Sequence, residues 1–269
     1  MIRVAIVQFT PVYGDKSSNI RVLAELLAGV DADLIVLPEL CTTGYFFTSK
    51  QELALLAEGV DGEVSRRFGA ISQSKGSIIV AGIAEAAGSS YYNSVFVFRP
   101  EEPVPLVYRK SHLFYKESLV FTPGDTGFHV FRDSRLDVKV GVMLCYDWRF
   151  PEAARCLALD GADIIVCPSN LVTDAWRRVM PARAIENKVF VAVANRAGSE
   201  AKDGEILAFK GNSALYDPSG EALLQADANG EQVLVAEIDP VICRDKRFND
   251  RNDIFLDRRP DLYGRLLGK

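Results

Sequence analysis

The feature that most restricts the fold is a strand–helix–strand unit that occurs twice. "RVAIVQF" (3–9), a helical stretch and "ADLIVLPEL" (32–40) are echoed by "KVGVMLC" (139–145), another helical stretch and "ADIIVCPSN" (162–170). These strands are rich in Val and Ile and apolar on both faces, as parallel strands covered on two sides must be. Such a chain is α/β, with helices laid over its sheets. The alternation continues throughout: strands are predicted at 2–9, 33–37, 77–84, 93–98, 104–109, 137–144, 163–167, 189–194, 212–216 and 233–238, and helices near 16–29, 50–57, 62–75, 151–160 and 174–187. Asp61 before "GEVSRRFGAISQSKG" supplies a helix start and stop, with Val64, Phe68 and Ile71 on one face. Aligning the two units puts Cys145 in the place of Phe9 and Glu39 in the place of Ser169. Both therefore fall at carboxyl ends of strands, where open α/β sheets bind ligands.

Bulk properties exclude several roles. A net charge of −5 and a pI near 5.3 argue against nucleic acid or an anionic membrane as partner. No apolar run approaches the roughly 18 to 20 residues that span a bilayer. The amino-terminal run reads as a strand with no cleavage pattern after it, so a cytoplasmic protein is expected. The five cysteines, Cys41, Cys145, Cys156, Cys167 and Cys243, form an odd set without a CxxC pair and are expected to be reduced. No His or Cys cluster has zinc spacing, and no metal or cofactor is expected.

Cys145 stands before a strand-to-helix turn, "CYDWRFPE", with Pro151 as a first helical residue. Free backbone N–H groups at such a turn, Tyr146 N–H among them, favour a thiolate and a developing oxyanion. A buried structural cysteine is the alternative. His129, in the apolar "GFHVF", reads as a packing residue, and His112 as a structural hydrogen-bonder; neither has an evident acidic partner of the kind a Cys–His pair needs. Glu39 is the other candidate base, since a carboxylate buried at the end of an apolar strand holds protons more readily than one in water. Lys110 ends a strand in the same way, and an ammonium near a thiol lowers its pKa and holds an oxyanion. Solvated surface roles remain the alternatives for both.

Taken together, these residues resemble the carbon–nitrogen hydrolase (nitrilase) superfamily. The matching blocks are "LIVLPEL" with "TTGY", "YRKSHLF" leading to "FTPGD", and "GVMLCYDWRFPEAAR", followed by "PARAIENKVFVAVANRAG", "GNSALYDPSGE" and "RRPDLY". They cover essentially the whole chain in order. The resemblance implies a four-layer α-β-β-α sandwich of two packed mixed sheets with outer helices, a catalytic domain over 1–242 and a subunit-contacting tail over 243–269. It implies that Glu39 is general base and later acid, Cys145 the nucleophile, and Lys110 with Tyr146 N–H the oxyanion holders. Glu117, four residues before Phe121 of the "F-x-P-G" turn, is implied to orient the substrate or assist Lys110. A homodimer or higher homo-oligomer is expected, with a small-molecule amide as substrate.

The loop after the cysteine bears on the substrate. Nitrile-cleaving members tend to carry Trp-Glu there and N-carbamoyl amino acid hydrolases Trp-Asp-Gln, whereas this chain has Tyr146-Asp147. The pattern is closest to amidases acting on small ω-amide or aliphatic amide substrates. Similarity to ω-amidases is partial, because their longer insertion between the lysine block and the Pro-Gly turn is missing here; the short "HLFYKESLVFTPGD" instead resembles small microbial amidases and the N-carbamoylputrescine type. Trp148, Arg149 and Asn170 are the candidates for substrate contact. Arg149 either meets a carboxylate through two hydrogen bonds or, the preferred reading, pairs with Glu152 or Asp147 as scaffolding. A catalytically silent binding protein on this fold is the remaining alternative. A serine hydrolase is excluded by the lack of a G-x-S-x-G elbow.

Overall fold

The structure, a computed structural model, describes residues 1–268. Its strands are β1 (Ile2–Gln8), β2 (Leu34–Val36), β3 (Ile78–Ala87), β4 (Ser90–Phe98), β5 (Leu106–Arg109), β6 (Val130–Asp133), β7 (Val138–Val142), β8 (Ile164–Ser169), β9 (Phe190–Asn195), β10 (Ser199–Lys202), β11 (Glu205–Ala208), β12 (Ala214–Tyr216), β13 (Ala222–Gln225) and β14 (Gln232–Ile238). The α-helices are α1 (Lys16–Gly29), α2 (Lys50–Ala54), α3 (Glu63–Lys75), α4 (Pro151–Leu159) and α5 (Trp176–Asn187). Two six-stranded sheets form, ordered β14-β1-β2-β3-β4-β5 and β13-β12-β9-β8-β7-β6, with β10–β11 as a separate hairpin.

The repeated unit is a real pseudo-symmetry. In each sheet three neighbouring strands are parallel, β1-β2-β3 and β7-β8-β9, and antiparallel strands flank them on both sides. The echoed "AD" pair has one task in both copies. Asp33 Oδ2 accepts from Arg3 N (2.7 Å) and Asp163 Oδ2 accepts from Lys139 N (2.9 Å), tying the second strand's start to the first. The last strand of each half crosses over: β6 edges the second sheet and β14 the first.

Burial follows from strand alternation. Val4, Ile6, Val36 and Val80 face Val140, Val142, Ile164 and Val166 in one core between the sheets. The opposite faces pack on helices, Val7 and Ile35 against Leu23 and Phe68, and Met143 and Ile165 against Leu157 and Trp176. The expected four-layer α-β-β-α sandwich is therefore present.

The structure adds β6, β13 and the β10–β11 hairpin to the predicted strands. These are short segments, and the hairpin and β13 are largely exposed, so they lack the apolar run that marks a covered strand. β4 begins earlier than predicted because its polar start, "SYYN", pairs in register with the end of β3. α2 ends at Ala54, short of the predicted 57. The tail lies against the end of α5: Lys246 Nζ donates to Asn187 O and Lys188 O (3.0 and 2.8 Å), and Phe255 packs on the outer layer of the second sheet. No helix among the described residues is long and apolar enough to cross a membrane.

Candidate active site

Glu39, Lys110, Glu117 and Cys145 come together although they are carried by four separate segments. β2 stops at Val36, and the next residues fold over β3 instead of continuing beside it. Gly82 N donates to Pro38 O (3.1 Å) and Cys41 N to Gly82 O (3.0 Å). A Cβ on Gly82 would lie 2.3 Å from Glu39 Cα, so only glycine admits this approach. Leu40 takes a positive φ of 48° to complete the turn. Lys110 follows β5, and its carbonyl accepts from Gly124 N (2.8 Å). A Cβ on Gly124 would meet Arg109 O at 2.1 Å, which explains the glycine of "FTPGD".

The buried Lys110 ammonium bridges two carboxylates, donating to Glu39 Oε1 (2.7 Å) and Glu117 Oε1 (2.7 Å). Asn93 Nδ2 also donates to Glu39 Oε1 (2.7 Å), and Tyr45 OH donates to Glu117 Oε1 (2.7 Å). Glu39 Oε2 is buried without a hydrogen-bond partner among the described residues, as are Asn93 Oδ1 and Asn170 Oδ1. Burial opposes the charge on Lys110, but Glu117 and Glu39 outweigh it and hold the ammonium well above the ordinary lysine pKa. Burial raises the pKa of Glu117; Lys110 opposes this and Glu39 adds to it.

Cys145 follows β7 with φ of 44°, a left-handed conformation that a non-glycine residue holds only under constraint. It opens a 3₁₀ turn, Cys145–Arg149, whose first internal bond is Asp147 N to Leu144 O (3.1 Å). The constraint comes from Asp147, which is fully buried. Its Oδ2 accepts from Leu144 N (2.9 Å) and Tyr108 OH (2.6 Å), and its Oδ1 accepts from His112 N (3.1 Å). Sequence reasoning missed this anchor, because nothing local distinguishes it from an ordinary turn aspartate.

Burial and Glu39 push the Cys145 thiol well above its ordinary pKa, and Lys110 opposes them. Two expectations are corrected. His112 does have an acidic partner: Nδ1 lies 2.8 Å from Asp147 Oδ1, and its ring stacks on Phe150 at 3.6 Å. That arrangement fixes the turn, in keeping with a structural histidine. Arg149 forms no ion pair with Glu152 or Asp147 among the described residues; it is exposed, with its guanidinium 5.4 Å from the Trp148 ring.

Beside Cys145 lies a cavity of about 220 Å³ lined by Phe114, Tyr146, Trp148, Arg149, Asn170 and Thr173. Asn170 Nδ2 donates to Glu39 O (3.0 Å). A larger cavity of about 450 Å³ lies under the tail between Arg155, Glu186, Arg258 and Tyr263, away from the buried cluster.

The sequence profile of the carbon-nitrogen hydrolase family matches residues 3–248. A protein named nitrilase from Pyrococcus abyssi is 44% identical, over 98% of this chain and 100% of that one. The N-carbamoylputrescine amidase of Arabidopsis thaliana is 33% identical over 94% of this chain and 91% of its own. The crystal structure of a carbon-nitrogen hydrolase from Helicobacter pylori G27 superposes with a TM-score of 0.84 at 31% identity, covering 100% of this chain and 98% of that one. With a buried cysteine at a strained strand end and a matching fold along its whole length, the chain belongs to the carbon–nitrogen hydrolase family of the nitrilase superfamily and is an amidase-type hydrolase.

Proposed function

We propose that this enzyme cleaves a small linear amide to a carboxylic acid and ammonia through a thioester on Cys145. The observation that carries the reading is the Lys110 bridge, which uses Glu39 Oε1 and leaves Glu39 Oε2 without a partner. A neutral thiol needs a base as it attacks, and Glu39 Oε2 is that base. Sulfur adds to the amide carbon, the thiol proton passes to Glu39, and the carbonyl oxygen becomes an oxyanion held by Lys110 and Tyr146 N–H. Glu39 returns the proton to the nitrogen, the C–N bond breaks and ammonia leaves. Water then adds to the thioester, losing its proton to Glu39, and the second tetrahedral intermediate expels the sulfur, which recovers the proton. Glu117 keeps Lys110 in place, and Asn170 Oδ1 accepts an amide N–H.

Among the described residues, Arg149 is the one charged residue lining the cavity. Without a carboxylate partner among them, it suits an amide whose far end is neutral or anionic, and it disfavours a cationic amine. An N-carbamoyl acid fits the same description and is the second reading. The test is ammonia release from neutral amides, ω-amido acids, N-carbamoyl compounds and nitriles, with Cys145→Ala as control. Turnover of ω-amido acids that vanishes in Cys145→Ala is expected, with Arg149→Ala reducing activity on carboxylated substrates more than on neutral ones. Equal reductions would remove the carboxylate reading. No turnover of any class would return the silent binding protein.

We also assign the tail to a subunit contact. Leu256, Leu262, Leu266 and Leu267 are exposed on it, an apolar surface that a second copy would cover. Light scattering of the intact chain, expected to give a dimer mass, checks this.

A further inference from the structure

The β10–β11 hairpin pairs with neither large sheet, yet three of its side chains reach the loops that carry the site. Glu200 accepts from two successive main-chain N–H groups, Tyr45 N (3.1 Å) and Phe46 N (2.7 Å). Its charge is met by Arg196 Nη1 (2.6 Å), itself buried and lying over the Phe209 ring at 4.2 Å. Lys202 pairs with Glu52, which also accepts from Tyr13 OH (2.6 Å). Glu205 accepts from Tyr115 OH (2.7 Å) and from Lys116 Nζ, on the turn that bears Glu117. The Tyr45–Glu117 hydrogen bond is thus anchored at both ends by one hairpin.

We propose that this hairpin sets the geometry of the site, with Glu200 a positioning residue that acts through Tyr45 on Glu117 and Lys110; the inference rests on the Glu39–Lys110–Cys145 reading above. A buried ion pair is poorly explained by stability alone, since well-packed apolar residues serve as well or better. Here the carboxylate has a specific task. It fixes the main chain at the residue whose hydroxyl shares Glu117 Oε1 with Lys110. Gly44, with φ of 83°, lets the chain turn beneath it, because a Cβ there would lie 2.8 Å from Glu200 Oε1. The Tyr45 ring also meets Phe209 edge-on at 5.9 Å, so the aromatic under Arg196 buttresses the tyrosine directly. Without the Tyr45 hydroxyl, Glu117 is held by Lys110 and the Phe114 N–H alone, and the ammonium loses its defined place opposite the oxyanion.

The experiment compares Tyr45→Phe, Glu200→Gln and the double variant in the intact chain. It measures kcat and KM on the amide selected by the panel, and the rate of iodoacetamide alkylation at Cys145 followed by peptide mass. Each single change is expected to lower kcat by roughly tenfold to a hundredfold, the value of one hydrogen bond to a charged group, with KM little changed. The double variant is expected to be no slower than the slower single, because both act on one contact. A scaffolding role would multiply the two effects, and that result overturns the proposal. So does a Tyr45→Phe enzyme within twofold of wild type, which decides the matter even if Glu200→Gln fails to fold. Activity that survives Cys145→Ala would remove the underlying reading and this inference with it, whereas a wild-type-like Tyr45→Phe removes the inference alone.

Discussion

The two halves share strand order and direction, and they end in opposite ways. Strand registers make Phe9, Ser169 and Ala228 of one crevice the counterparts of Cys145, Glu39 and Lys110 in the other. At the barren end, Gln8 closes the structure. Its Nε2 donates to Asp227 O and Gly230 O (both 2.9 Å), and its Oε1 accepts from Ser213 N and Ser213 Oγ (both 3.0 Å). At the reactive end, Glu39 Oε2, Asn93 Oδ1 and Asn170 Oδ1 stay unpartnered. Buried polar atoms are normally satisfied, so a cluster that is not sets this end of the molecule apart from the other. The strand arrangement repeats; the polar groups at its ends do not.

The divergence begins at one residue pair. β8 runs straight through Ser169 beside Ala194 and Asn195, whereas the chain after β2 loses the regular register while still hydrogen-bonded to β3, and carries Glu39 over Gly82. Gly82 is the counterpart of Ala194 by register.

The largest contrast is expected at the counterpart residues themselves. Glu39→Gln should lower turnover by on the order of a thousandfold or more, as for loss of a general base that also returns the proton. Ser169→Ala should leave it within a few-fold in the same assay. Comparable losses would mean that the two crevices are not chemically distinct.

Gly82→Ala should follow, costing about 2–4 kcal/mol of stability and much of the activity, because its Cβ meets Glu39 main chain. Ala194→Gly, at the same register, should cost only about 1 kcal/mol. Chemical denaturation of both variants measures the difference, and equal costs would break the equivalence.

A third contrast concerns pH. Cys167, which stands where the first half has Leu37, is pushed up to about 12 by burial, and Cys243 likewise to about 12. A thiol whose folded pKa lies above the unfolded value contributes stability that is complete below about pH 8.5 and is lost as pH rises toward the folded value. Each should therefore remove about 1.4 kcal/mol per pH unit above that point. Thermal denaturation between pH 8 and 11 should show Tm falling, with a shallower decline in Cys167→Ala. An unchanged slope would remove Cys167 from the explanation.

Much of this was legible in the residues. The repeated apolar strands required covered parallel sheets, and the echo predicted the pseudo-symmetry. The strand ends located Glu39, Lys110 and Cys145, because side-chain period and strand length are local properties. The turn glycines have no such local origin: Gly124 is needed because its turn packs on the carbonyls of Arg109 and Lys110. Partnership is not local. That Lys110 bridges Glu39 and Glu117, that Asp147 rather than a helix end holds the Cys145 turn, and that Arg149 meets no acid among the described residues were decided by contacts between residues far apart in the chain or by the course of the loops that carry them. So was the direction of the Cys145 pKa shift: its neighbours argued for a lowered value, but burial beside Glu39 pushes it up. The sequence by itself determined the strands and which residues stand at their ends; tertiary structure decided which of those groups meet, because charge and desolvation act through space.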